Sequence, residues 1–225
     1  MARRERRLLK ILVLVSTAVT AYAGELSHAE LTDLLTRIRE KRTSAPQMQA
    51  DLREERVIRL MSKPIATSGK VWFQAPNKFR RETKGNSPSI TVSDGQQLWI
   101  YYPNFKSAEH YSLGKRSPLD SVIAAINTAL NLENVENTFR ITGRQAEGGY
   151  DLELIPHTAS MKRMFQRLNV HVDNDELFVD RTEMWQPNGD RIVTTYSNQT
   201  RAPIPSSTFD FTPPPGTEVT NPLGR

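Results

Sequence analysis

A mainly β chain with a minority of helix, an α+β architecture, is what this 225-residue sequence predicts. Three observations carry the prediction. Short apolar runs recur between turn-forming clusters along most of the chain, at the spacing of a meandering sandwich or barrel. An Asp-Gly step (Asp94-Gly95) lies between the alternating apolar segments Ile90–Val92 and Leu98–Tyr102, which is a strong short-range hairpin signal. Only two stretches, near residues 28–42 and 117–131, place apolar residues at helical spacing. The length suits one domain with a sizeable core.

Residues 1–23 read as a secretory signal peptide, followed by a single domain over 24–225. Arg3, Arg4, Arg6, Arg7 and Lys10 form the basic segment, Leu8 to Ala18 the apolar run, and Ala21-Tyr22-Ala23 the small-residue site, with cleavage after Ala23. The run is short for a membrane span. The first helix follows: Ser27 and Glu30 fit a capping box, Leu31, Leu34, Leu35 and Ile38 make one apolar face, and Pro46 closes the segment. Residues 47–60 read as a long strand with a bulge or a break near Glu54–Glu55, and Lys63–Ser68 as a loop. Between Lys70 and Pro103 lie three short strands rich in aromatics, broken at Pro76-Asn77 and Asp94-Gly95, with Val71, Phe73 and Ala75 on one side of the first and Trp72 and Gln74 on the other. Lys106–Leu113 is another strand.

Ser117-Pro118-Leu119-Asp120 starts the second helix, with a serine cap, proline at the first position and an acid in the first turn. Leu119, Val122, Ile123, Ile126 and Leu130 line one side of it. Strands are predicted at 138–142, 149–155, 165–172, 177–185, 191–197 and 208–212, about ten in all, separated by clusters such as Glu147-Gly148-Gly149 and Pro187-Asn188-Gly189-Asp190. The tail from Pro213 is a loop or an edge segment.

Charge and composition exclude several functions. The formal charge of +5 falls to about +1 once the leader takes away five basic groups and Glu5, which removes the electrostatic basis for nucleic-acid binding. There is no cysteine, hence no disulfide, no thiol-ligated metal and no lipid-attachment site, so an exported, soluble periplasmic or secreted protein resting on a packed core is expected. His28, His110, His157 and His171 have no metal-ligand spacing, and no nucleotide-binding or nucleophile motif occurs, so neither a cofactor nor an enzyme activity is predicted. Asp173, Asp175 and Glu176 read as a hairpin turn, and Asp151 with Glu153 as a strand-edge pair. Arg80 and Arg81, next to Lys78, are either a solvated strand face or an anion contact.

Three phrases, taken in order, carry a resemblance. They are Pro76-Asn77-Lys78-Phe79-Arg80, Val92-Ser93-Asp94-Gly95-Gln96-Gln97-Leu98-Trp99 with Tyr101 and Pro103, and Phe209-Asp210-Phe211-Thr212-Pro213-Pro214 with Gly216 and Val219. With the order of elements, they make the whole mature chain resemble the LolA family of periplasmic outer-membrane lipoprotein carriers. The resemblance implies an unclosed antiparallel half-barrel with a helical lid over its concave face. It implies acyl chains of a lipoprotein, or another lipid, as cargo, with an inner-membrane ABC-type exporter as donor, an outer-membrane receptor as acceptor, and a monomer. The receptor family LolB is itself a lipoprotein, and the missing cysteine argues for the soluble carrier. Two positions depart from the pattern: Ala75 replaces the arginine that usually latches the lid, and Arg81 replaces an aromatic.

The wall expected on the sheet is Val71, Phe73, Phe79, Ile90, Val92 and Trp99, and on the lid Leu119, Val122, Ile123 and Ile126; Phe79 matches a family aromatic that handles cargo. Alternatives are a LolA-like carrier of another amphiphile and a lipid- or lipoprotein-sensing protein such as the RseB family. Membership of the wall depends on register. A two-residue turn that pairs Ser93 with Gln96 puts Ile90, Val92, Trp99 and Tyr101 on one face; pairing Val92 with Leu98 turns Trp99 to the other. The first arrangement is the one expected.

Overall fold

Leu34, Leu35 and Ile38 fix the first helix, because their side chains are buried on one face, with Leu31 partly buried against the same core. The structure, a computed structural model, describes residues 24–113, 132 and 135–222. Helix α1 spans His28–Ser44 and begins as predicted. The Ser27 hydroxyl accepts the Glu30 N–H at 3.3 Å while the Glu30 carboxylate accepts the Ser27 N–H at 2.8 Å.

All the described strands belong to one 12-stranded sheet, in the order β12-β6-β5-β4-β3-β2-β1-β11-β10-β9-β8-β7. The strands are β1 (Gln47–Val57), β2 (Ile65–Gln74), β3 (Lys78–Lys84), β4 (Ser89–Ser93), β5 (Gln97–Tyr102) and β6 (Ser107–Ser112). The second set is β7 (Phe139–Ala146), β8 (Gly149–Pro156), β9 (Arg167–Asp173), β10 (Val179–Trp185), β11 (Arg191–Thr200) and β12 (Glu218–Thr220). Pairing is antiparallel except for β12, which runs parallel to β6. The ends β12 and β7 are not paired to each other, so the sheet is an unclosed half-barrel, as the resemblance implied. A four-residue helix α2 (Ala159–Lys162) precedes β9.

Several boundaries differ from the sequence reading. Ile65–Ser68 is not loop: it opens β2 and pairs with Arg53–Arg56, an exposed stretch whose polar residues hide its strand character. The bulge of the first strand is not at Glu54–Glu55 but opposite its start, where β11 carries the extra residue at Asn198, whose φ is +52° and whose amide donates to Asp51. Residues 208–212 are not a strand: Ser206–Phe209 is a 3-10 turn and the chain runs on as an extended strap. The second predicted helix, with Leu119, Val122, Ile123 and Ile126, lies outside the described residues.

The Asp94-Gly95 hairpin takes neither predicted register. Val92 stands opposite Trp99, Ser93 opposite Leu98, and Asp94 N–H donates to Gln97 O at 3.3 Å. The two central turn residues are therefore Gly95 and Gln96, with the glycine at φ +95° in the first position, as a type II′ turn requires. Asp94 stands one place earlier and its carboxylate accepts the N–H groups of Gln96 and Gln97, each at 2.8 Å. The pairing is shifted by two residues from the expected one, so the facing of each side chain survives the error.

Most of the core lies between α1 and β7–β10. There Leu34, Leu35 and Ile38 meet Leu152, Leu154, Val170 and Val172, all nearly inaccessible. That contact defines the inner face of the sheet, and register carries it from strand to strand.

Candidate functional site

Following the register outward from the face that α1 covers gives the inner wall. Leu152 lies opposite Val170, Val170 opposite Thr182, Thr182 opposite Thr194, and on the next rows Tyr196 opposite Leu52 and Ala50 opposite Val71. Phe73 is then opposite Phe79, and Val71 opposite Arg81. Ala50, Leu52 and Val71 form a second buried cluster with Met48, Phe79 and Tyr196 packed against it. The sequence-predicted Val71, Phe73 and Phe79 are thus brought together on the inner face. Phe73 also borders a cavity of about 230 Å³, together with Met48, Ala75, Phe178 and Val179.

Ile90, Val92 and Trp99 do not join them. Phe79 is paired with Ser93 and Arg81 with Thr91, which sends Ile90 and Val92 to the outer face with Trp99 and Tyr101. The C-terminal strap covers them there. Phe211 lies 5.9 Å from the Trp99 ring and 5.8 Å from Tyr101, Trp99 stacks on His110 at 4.2 Å, and Phe209 is 2 % exposed. Arg80 donates to Thr208 O at 3.0 Å and holds the strap down, with Glu82 accepting from its other nitrogens at 2.7 Å. Arg80 is therefore neither a solvated residue nor an open anion contact. The expectation of a single wall fails because both faces of this half of the sheet are buried, so apolar alternation does not mark the inner one.

The inner wall has polar features that the sequence reading missed. Arg81 Nη2 is 2.6 Å from Glu54 Oε2, and both side chains are about a fifth exposed. Beside them burial pushes the Tyr196 hydroxyl up to about 12, against a hydrogen bond with Thr182 that pulls it down. Further along, Glu109 accepts the Tyr111 hydroxyl, and burial together with that bond raises the Tyr111 phenol to about 12. Glu54 is visible in the sequence as a break in the apolar alternation of β1, which mimics a bulge; its partner 27 residues away is not inferable from spacing. At Ala75 the arginine of the usual latch is missing, yet the cavity it borders is walled by Arg39, Arg42 and Arg201 from other elements. Arg201 is fixed over the Phe178 ring at 3.9 Å and donates to Glu176.

A larger concavity of about 890 Å³ lies on the outer face of β7–β11, lined by charged groups including Arg144, Asp151, Glu153, His171, Asp180 and Glu183. His171 Nδ1–H donates to Asp151 at 2.8 Å and Arg144 donates to the same carboxylate at 2.7 Å. Such a surface solvates poorly with acyl chains. Among the described residues no group of three histidine or carboxylate side chains is disposed to hold a metal ion, and no helix is long and apolar enough to cross a membrane.

Comparison with known proteins agrees with this geometry. The family described as outer membrane lipoprotein carrier protein LolA matches residues 48–212. A protein of Azotobacter vinelandii named outer-membrane lipoprotein carrier protein is 26% identical over 221 residues, 95% of this chain and 98% of its own. One of the same name from Dechloromonas aromatica is 26% identical over 208 residues, 92% of this chain and 95% of its own. Among solved structures, an uncharacterized conserved protein of Thermus thermophilus shares the fold at TM-score 0.53 and 12% identity, covering 85% of this chain and 98% of that one.

Proposed function

Because the chain belongs to the LolA family of outer membrane lipoprotein carrier proteins, we propose that it is a periplasmic lipoprotein carrier. It shelters the acyl chains of its cargo on the inner face of the half-barrel, takes them from an inner-membrane ABC-type exporter and hands them to an outer-membrane receptor. It works as a monomer and breaks no covalent bond. One observation carries this reading: the inner wall of Met48, Ala50, Leu52, Val71, Phe73 and Phe79 is continuous and apolar beside a small cavity.

The physics suits transfer. Acyl chains gain about 0.8 kcal/mol for each CH₂ taken out of water, so a wall of this kind holds them without covalent help. The cavity of about 230 Å³ is smaller than the ~300 Å³ at which pockets begin to enclose drug-sized ligands, so loading must move a cover. We assign the cover to the apolar residues Leu119, Val122, Ile123 and Ile126, with cargo binding displacing it. Ile90, Val92 and Trp99 support the wall from behind.

The decisive experiment is extraction of the protein from the periplasm and identification of the co-purified lipid by mass spectrometry. Triacylated lipoprotein is the expected result. Phe73→Asp and Ile123→Asp are expected to lose it; retention of cargo by both variants rejects the assigned wall and cover. A second reading, a carrier of another amphiphile working with a different exporter, is favoured by the Arg81–Glu54 pair, which offers a charged contact on the inner wall. A free lipid with an anionic headgroup in place of lipoprotein supports that reading.

A further inference from the structure

The ends of the strands divide into two rims that differ sharply. One rim carries the β1–β2, β3–β4, β5–β6, β8–β9 and β10–β11 connections, as the pairing of Arg56 with Ile65, of Trp185 with Arg167 and Arg191, and of Tyr102 with Ser107 requires. Of the six large apolar side chains that stand exposed among the described residues, Leu60, Met61, Ile65, Phe105 and Met164 are on this rim. Leu60 is 90% exposed and Phe105 77%, close to the limit for a side chain that touches nothing. The sixth, Val219, is on β12 beside the start of β6.

A cation accompanies each tip. Arg59 and Lys63 flank Leu60-Met61, Lys106 follows Phe105, and Lys162-Arg163 precede Met164; all are exposed, and among the described residues none has an ion-pair partner. The one acid in these five connections is Asp190, already accepting the Arg59 backbone N–H and the Asn188 amide; Glu136, in the segment that enters β7 on the same rim, is paired with Arg39. The turns of the opposite rim at 75–77, 94–96, 147–148 and 174–178 reverse the pattern. They hold Asp94, Glu147, Asp175 and Glu176, no lysine or arginine, and no exposed large apolar residue. Glu176 there is taken up by Lys41 and Arg201.

We propose that the rim formed by the β1–β2, β5–β6 and β8–β9 connections is a docking surface for an anionic lipid bilayer. Three loops from distant parts of the chain repeat one chemistry, an apolar tip next to an unpaired cation, which is the chemistry of the lipid interface: the apolar group enters the acyl boundary and the cation meets the headgroup phosphates. The tips are separate points along an arc, not one contiguous patch. A fluid planar surface meets them all at once, whereas a folded protein partner needs a continuous complementary face. The opposite rim, where Glu176 is paired with Lys41 and Arg201, has no exposed large apolar tip in its turns, so the apolar tips orient the carrier on the bilayer. This docking does not depend on what the inner wall carries.

The absence of cysteine allows a clean test. The exported protein bearing Leu60→Cys or Phe105→Cys is labelled with a polarity-sensitive dye, with Gln96→Cys on the opposite rim as control. It is mixed with vesicles of phosphatidylcholine, with and without phosphatidylglycerol. The expected result is a blue shift at 60 and 105, none at 96, and only with phosphatidylglycerol present. Removing cations in Arg59→Gln and Lys63→Gln is expected to lower vesicle partitioning about five-fold each. No shift at 60, an equal shift at 96, or an equal response to neutral vesicles overturns the proposal; absence of any vesicle binding points instead to a protein partner and also overturns it. Co-extracted lipid, measured on the same variants, stays unchanged, so failure of docking is distinguished from failure of the carrier reading.

Discussion

At Arg81 and Glu54 the inner wall holds a charge pair where an apolar contact would cost nothing to desolvate. A partly buried pair is worth little against an apolar replacement, but removing one partner strands the other. Arg81→Leu is therefore expected to destabilise the fold by about 1–3 kcal/mol, below the 3–5 of a fully buried pair because water still reaches both groups. The double variant Glu54→Leu/Arg81→Leu is expected to recover most of that loss in urea unfolding, and a double variant as unstable as the single one would show that the pair contributes net stability. On the outer face two carboxylates flank His171 with opposite signs. Burial works to raise Asp151, but hydrogen bonds from His171 and Arg144 outweigh it and hold the carboxyl below its ordinary range. Burial raises Asp180, His171 only partly opposing it, and one of its oxygens is buried with no partner. A carboxyl lowered by folding adds stability above its unfolded value of about 3.9 and loses it as pH falls through the lower folded value. A raised one does the reverse, and its ionisation costs stability as pH rises from about 3.9 through the raised value. Asp151→Asn should thus lose about 0.5–1 kcal/mol at pH 7 and nothing once acid has protonated the wild-type group, whereas Asp180→Asn should be neutral or stabilising at pH 7. Thermal unfolding of both variants across acid pH checks the two signs.

The β4–β5 hairpin and the strap that crosses it show at the level of elements what the sequence could express. Turn chemistry locates the hairpin, and alternation locates its strands, since both are local. The register differs by two residues because Asp94 uses its carboxylate to hold Gln96 and Gln97, and that leaves Gly95 to lead the turn. The assignment of Val71 and Phe73 to one wall follows from the side-chain period, whereas Phe79, on the next strand, comes from the family resemblance. Placing Ile90, Val92 and Trp99 beside them does not follow, because the covering partner is Phe209 and Phe211, more than a hundred residues later in the chain, in a segment whose alternation mimics a strand. A sheet buried on both faces has no polar side to orient it. The strap gives a direct check. Phe209→Ala should destabilise by about 3–5 kcal/mol, since the side chain is 2 % exposed, yet the folded fraction should keep its cargo because Phe209 belongs to the strap whose Phe211 covers the outer-face residues Trp99 and Tyr101. Loss of cargo from protein that remains folded would move the strap into the site.

Across the whole molecule, strand β1 is a seam. On one side of it β7–β11 and α1 enclose fifteen buried apolar residues, and on the other the inner wall has a buried cluster of three. Among the described residues, Tyr196 packs against both clusters and ties them together. Local opening follows the density of buried contacts, so the two sides should differ in the free energy at which their backbone amides exchange. The difference suits a carrier. In the proposed function the α1 side is the part that keeps its shape, and the β1–β6 side is the part that yields to acyl chains. Native-state hydrogen exchange should therefore find the slowest amides in β8 and β9 and faster exchange in β2–β5, with cargo slowing the second set far more than the first. Tyr196→Ala should widen the gap, speeding exchange in β1 and β2 before β8 and β9 respond. Equal protection on both sides of β1, or cargo that slows β8 and β9 instead, would mean that the wall identified from Val71, Phe73 and Phe79 is not the part of the sheet that receives the load.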